Sequence, residues 1–185
     1  MKPLFTLHAG EFLVGCEIER QLGKAVNIWI PSKDEGIDLL VTNRANTKTV
    51  SIQVKYSRDF IITLKDPERK LKLKSGGWWT FNRRKLAASK ADFWVLLTYD
   101  AHSKESDFVI IPPRKLLSIF ERTGRIQNII QSYVWVTRSK PAFAMEGRDL
   151  KREEGLEMIT GQKSPGIRNL TPYLSNWSQI KRKLK

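Results

Sequence analysis

The stretch GIDLLVTNRANTKTVSIQVKYS, residues 36–57, decides how the chain is read. Two apolar runs, 37–42 and 50–56, flank the polar segment 44–48, and this pattern predicts the two strands of a hairpin. In the second run Val50, Ile52, Val54 and Tyr56 alternate with Ser51, Gln53, Lys55 and Ser57. That period of two gives one apolar face and one face carrying an amide, an amine and two hydroxyls. A lysine in mid-strand among hydrophobic neighbours calls for an anionic partner, because an unpaired buried charge is costly or shifts its pKa. Asp38, at the head of the first run, is the nearest candidate. One register leaves Asp38, Gln53 and Lys55 on a single face, whereas a slip of one residue turns Asp38 away. In the favourable register a carboxylate, an amide carbonyl and an ammonium converge, which suits a hard cation and the anion it polarises.

Around this stretch the motifs Gly10-Glu11 at the head of a helix, Gly36-Ile37-Asp38 on one strand and Gln53-Val54-Lys55 on the next resemble the PD-(D/E)XK nuclease superfamily. That group holds Holliday junction resolvases and many restriction endonucleases. The resemblance covers mainly residues 10–57. It implies an α/β fold with a restriction-endonuclease-like core, a central mixed β-sheet flanked by helices. It implies magnesium-dependent hydrolysis of DNA phosphodiesters by Glu11, Asp38, Gln53 and Lys55. Glu11, Asp38 and Gln53 would hold the magnesium, for which manganese would substitute, and Lys55 would assist attack on the phosphate. A homodimer is implied on the same ground. Two positions depart from the motif: Ile37 stands in place of Pro, and Gln53 in place of Glu or Asp. The second removes a negative charge from the metal site, so a DNA-binding module of the same fold that no longer cuts is the alternative.

With 185 residues the chain is long enough to bury a substantial core. Its formal net charge is +14, which calls for an acidic partner such as nucleic acid or an anionic membrane. No apolar run approaches the roughly 20 residues of a spanning helix. Residues 1–10 also lack the pattern of a signal peptide. DNA is therefore the expected partner, with no membrane and no small-molecule cofactor. The single cysteine, Cys16, excludes an internal disulfide and a cysteine-rich zinc site, and fits a cytoplasmic location.

Residues 11–22 read as a helix stopped by Gly23, with Glu11, Val14, Gly15, Ile18 and Leu22 on the stripe that docks on the sheet. Glu17 and Glu19 lie off that stripe as solvated charges. A short strand over 25–30 precedes a charged turn holding Asp34 and Glu35. The apolar run 60–64 is expected to extend the sheet. Between residues 65 and 90 a basic series is interleaved with Trp78, Trp79 and Phe81. Basic groups neutralise phosphates and exposed aromatics stack on bases. Ser57, Lys70, Lys72, Lys74, Arg83, Arg84 and Lys85 are the candidate DNA contacts, while at least one of the two tryptophans is expected in the core.

A short helix over 83–89 leads to an internal strand over 91–99, another strand over 107–111 and a helix over 114–122 that starts after Pro112-Pro113. Residues 133–137 make a last strand. The nuclease-like core is assigned to residues 1–140. Residues 141–185 form an irregular segment packed on the same domain, with a terminal helix docked by Trp177. The two histidines, His8 and His102, are far apart, so zinc chemistry and a serine triad find no support. No nucleotide-binding glycine motif occurs. A basic RNA-associated or assembly protein is a third class, and it leaves a mid-strand lysine facing Asp38 unexplained.

Overall fold

The structure is a computed structural model that describes residues 9–32, 35–100 and 103–185; Asp34, His8 and His102 lie outside them. A mixed five-stranded sheet runs in the order β1-β2-β3-β5-β6. Its strands are β1 (Val26–Trp29), β2 (Leu39–Asn43), β3 (Thr49–Tyr56), β5 (Phe93–Asp100) and β6 (Glu105–Ile111). A second, three-stranded sheet has the order β4-β7-β8, from β4 (Leu73–Asn82), β7 (Ile129–Thr137) and β8 (Ala144–Glu146). The helices are α1 (Ala9–Leu22), α2 (Pro67–Lys72), α3 (Arg83–Ala87), α4 (Pro113–Arg122), α5 (Arg152–Ile159) and α6 (Ser178–Lys183).

The hairpin forms as its pattern predicts. Leu39 faces Ile52 and Val41 faces Val50, so the apolar residues of both strands share one face. Val14 and Ile18 of α1 are fully buried against that face, together with Trp177 and Ile180 from the C-terminal end. Each such aliphatic side chain contributes roughly 1.5–3 kcal/mol by leaving water. β3 then pairs with β5 in parallel, Val54 opposite Val95. A parallel pair needs a long crossover, and the chain between the two strands supplies α2, β4 and α3. Asp92 fixes the landing point of that crossover. Its Oδ2 accepts from the backbone N–H and the hydroxyl of Ser51, at 2.9 and 3.0 Å.

The second sheet closes over the other face of the first. Trp79, Phe81, Ile130, Val134 and Val136 meet Trp94, Leu96, Val109 and Ile111 in one apolar layer. This is the main departure from a single central sheet. The strand expected over 133–137 is real but belongs to the second sheet. β4 itself was hidden in the basic segment, because Gly76 and Gly77 carry no side chain to mark its period. The run 60–64 does not extend a sheet: it forms a 3₁₀ turn, Ile61–Thr63, whose Ile61 N–H donates to Asp59 Oδ1. Ile61 instead fills the space left by Gly76, where a Cβ would come within 2.7 Å of its side chain. The terminal helix is also shorter than its apolar spacing suggested. Tyr173 ends a 3₁₀ turn, Leu174 bridges to Val109, and Ser175 adopts a positive φ of 48° before α6 begins.

Candidate active site

Strand register brings the central candidates together. The paired strands of the hairpin end with Leu39 opposite Ile52, and the Asp38 N–H continues the ladder by donating to Ile52 O at 2.8 Å. Alternation then sets Asp38 on the face of Gln53 and Lys55, opposite Val54 and Ile52. The Asp38 carboxylate turns back onto β3, where Oδ2 accepts from the Val54 N–H at 2.7 Å.

Gln53 and Lys55 line a cleft of about 670 Å³ bounded by Glu35, Gly36, Trp94 and the free edge of β4. Lys55 Nζ stands 5.3 Å from the centroid of the Trp94 ring. That indole is itself fixed, since its N–H donates to Ser89 Oγ at 2.9 Å. An ammonium over an indole face gains cation–π attraction, so Trp94 sets the direction of the amine. Gly36 adopts φ of 80°, and a Cβ there would lie 3.7 Å from the Gln53 side-chain nitrogen. The loop therefore passes close over Gln53.

Glu11 occupies the first turn of α1 and is half-buried. Its neighbour Gly10 touches β3 so closely that a Cβ would come within 2.7 Å of the Tyr56 Cβ. The start of α1 thus crosses the C-terminal end of β3, on the face opposite Lys55, and Glu11 is not a lining residue of the cleft. Glu17, by contrast, binds Arg20 and Gln21 on the helix surface. The Arg20 hydrogen bond holds its carboxyl below the usual range.

The candidate DNA contacts separate by their partners. Lys70, Lys72, Arg84 and Lys85 are exposed, and Lys85 lines the cleft. Arg83 pairs with Glu121. Lys74 reaches Asp107 at 2.9 Å and Glu105 at 3.2 Å, joining the two sheets. Burial works against its charge, but these two carboxylates outweigh that and hold the ammonium above the ordinary lysine range. Ser57 is buried; its hydroxyl accepts from the Trp78 N–H at 3.0 Å and donates to Arg58 O. Trp79 is in the core and Trp78 is 44% exposed.

Two cleft residues carried no such assignment in the sequence. Glu35 and Lys90 face each other across the rim at 3.6 Å. Lys90 belongs to the basic series, but only the fold could bring it beside Gln53.

Among the described residues, no three His, Cys, Asp or Glu side chains group closely enough to hold a metal ion. The described residues therefore form no cage of three such ligands. Magnesium needs less, because it keeps several waters and takes one or two carboxylates plus substrate phosphate oxygens. Asp38, tied to β3 on the face that carries Gln53 and Lys55, would supply one carboxylate, although it does not itself line the cleft. No family model matches the chain, and no curated protein or solved structure is similar to it. The site therefore stands on its own geometry.

Proposed function

We propose that the protein is a magnesium-dependent DNA endonuclease built on a restriction-endonuclease-like core. The observation that carries this reading is the bond between the Asp38 carboxylate and β3, the strand that presents Gln53 and Lys55 to a cleft rimmed by Lys85 and Lys90. An acid, an amide and a fixed amine beside basic groups suit the handling of a phosphodiester.

Magnesium held by Asp38, the Gln53 amide oxygen and a main-chain carbonyl near Val54 would supply a water of lowered pKa and neutralise charge on the phosphate. Glu11, expected as a further ligand, starts on the opposite face of β3 and is left out of this set. The protein's own groups do the rest. Lys85 and Lys90 draw the phosphate backbone into the cleft. Lys55, aimed by Trp94, donates hydrogen bonds to the oxygen that gains charge, or orients the attacking water. The water oxygen bonds to phosphorus as the bond to the leaving sugar oxygen breaks. One water proton ends on that leaving oxygen and the other passes to solvent.

A non-cleaving DNA-binding module of the same fold is the second reading, favoured by the neutral Gln53. Supercoiled plasmid and branched DNA incubated with magnesium or manganese, and in parallel with chelator, separate the two. The endonuclease nicks DNA only with the metal and loses that activity in Asp38→Ala. Binding without nicking supports the module.

A further inference from the structure

The second sheet has a further feature beside the cleft. The outer face of the β4–β7 pair carries Trp78 opposite Tyr133, Thr80 opposite Gln131 and Asn82 opposite Ile129. Among the described residues no helix covers this end: Trp78, Thr80, Gln131 and Ile129 are all exposed. Phe60 is stacked on Tyr133 at 4.8 Å between centroids with 19° between planes, and it meets Trp78 at 6.4 Å. The Arg148 guanidinium sits 4.9 Å from the Tyr133 centroid. Phe60 thus packs beside the Trp78 indole, which stays 44% exposed.

The platform adjoins the proposed reaction centre. The Trp78 N–H is bonded to Ser57, two residues beyond Lys55 on the same chain segment. Thr80, two residues further along β4 and on the same face as Trp78, lines the cleft with Lys55. Two residues of strand span about 7 Å, which is also the reach of one nucleotide step. The strand positions of this face include no carboxylate. Asp59, next to Phe60, accepts from the Ile61 N–H, and Asp149, next to Arg148, pairs with it at 3.1 Å. Arg58 is exposed beside Ser57. A half-exposed indole, with Arg58 next to Ser57 in the chain and Arg148 against the Tyr133 ring, offers a strand with unpaired bases both a stacking surface and phosphate partners.

We infer that Trp78 stacks an unpaired base of the DNA substrate, so that the preferred substrate carries a single-stranded segment next to duplex, as a tail, flap or branch. The inference rests on the endonuclease reading for its setting, but its test does not need cleavage. Full-length protein is titrated in chelator into a labelled duplex with a single-stranded tail and into the same duplex blunt-ended, with anisotropy as the readout.

The tailed duplex binds more tightly. Trp78→Ala weakens that binding by about 5- to 150-fold, the range for loss of one base-stacking aromatic. It leaves blunt-duplex binding unchanged, and Trp78→Phe keeps most of the preference. Because the side chain is partly exposed, the melting temperature of each variant is expected to match that of the parent and is measured alongside. Equal binding of the two DNAs by the parent protein, or equal weakening of both by Trp78→Ala, overturns the inference. If tail preference depends on Trp78 but no DNA is cut with magnesium, the platform stands and the endonuclease reading falls. If blunt DNA is cut and Trp78→Ala changes nothing, the platform falls alone.

Discussion

Asp38 and Val54 are joined across the hairpin by a 2.7 Å hydrogen bond from the Val54 N–H to the Asp38 carboxylate. The acid is thereby attached to the strand that holds Gln53 and Lys55, and the three side chains keep one spacing. An asparagine could still accept this bond but carries no charge. Asp38→Asn is expected to melt near the parent temperature, bind DNA normally in chelator, and nick plasmid about 10²- to 10³-fold more slowly with magnesium. Asp38→Ala also leaves the Val54 N–H without this acceptor, so it loses a further 1–3 kcal/mol or so of stability. Nicking rates and thermal melts of the pair separate charge from scaffold.

Gln53 is the position where the motif has an acid. Placing a carboxylate there, in Gln53→Glu, adds a charged oxygen ligand to the proposed ion site, and ligand charge is a main control on affinity for hard cations. The magnesium concentration giving half-maximal nicking is expected to fall on the order of threefold to tenfold. A titration of rate against magnesium reads this directly. A rise in the requirement would remove Gln53 from the ion site.

The hairpin was legible because its signal is local. Period-two alternation and a polar turn fix which residues of β3 share a face, and pairing with β2 has one register that buries Leu39 and Val41 with Ile52 and Val50. Asp38 follows from that register without further information. The second sheet was not legible, since β4 and β7 pair across about 50 residues and the inward period of β4 is broken by Gly77, against which Trp79 folds. Lys74 illustrates the same limit. In sequence it is one cation in a basic run, and only the approach of β6 gives it Asp107 and Glu105. Nor could spacing reveal that Lys55 meets Trp94, because the parallel pairing of β3 and β5 depends on the whole crossover.

Glu146 is fully buried and is held by two arginines. Oε1 accepts from Arg125 at 2.7 Å and from Ser132 at 3.2 Å, and Oε2 accepts from Arg168 at 2.5 Å. The three charges tie β8 to the loop after α4 and to the segment before α6. Removing the acid strands two guanidinium groups that have little water. Glu146→Ala is expected to cost roughly 3–5 kcal/mol, the usual penalty for breaking a buried pair from one side. For a chain of this size that is a fall in Tm of about 6–20 °C. Calorimetry checks it.

Asp92 links the first sheet to the C-terminal helix, its Oδ1 accepting from Lys183 Nζ at 2.5 Å. Burial pushes its pKa up, but the hydrogen bonds from Lys183 and Ser51 outweigh burial and hold the carboxyl below its ordinary value. A depressed folded-state pKa stabilises the protein above the unfolded-state value, near 3.9 for aspartate, and that contribution disappears as pH falls through the folded value. Lys183 is half-exposed, so the pair is partly screened by solvent. Lys183→Ala is therefore expected to lower stability at neutral pH by only about 0.5–1 kcal/mol. As Asp92 becomes protonated in both proteins, the difference between their melting temperatures should close. Paired melts at neutral pH and below the ordinary aspartate pKa measure this. A difference that persists unchanged in acid would mean that Lys183 acts through its 5.7 Å contact with the Phe93 ring rather than through the carboxylate.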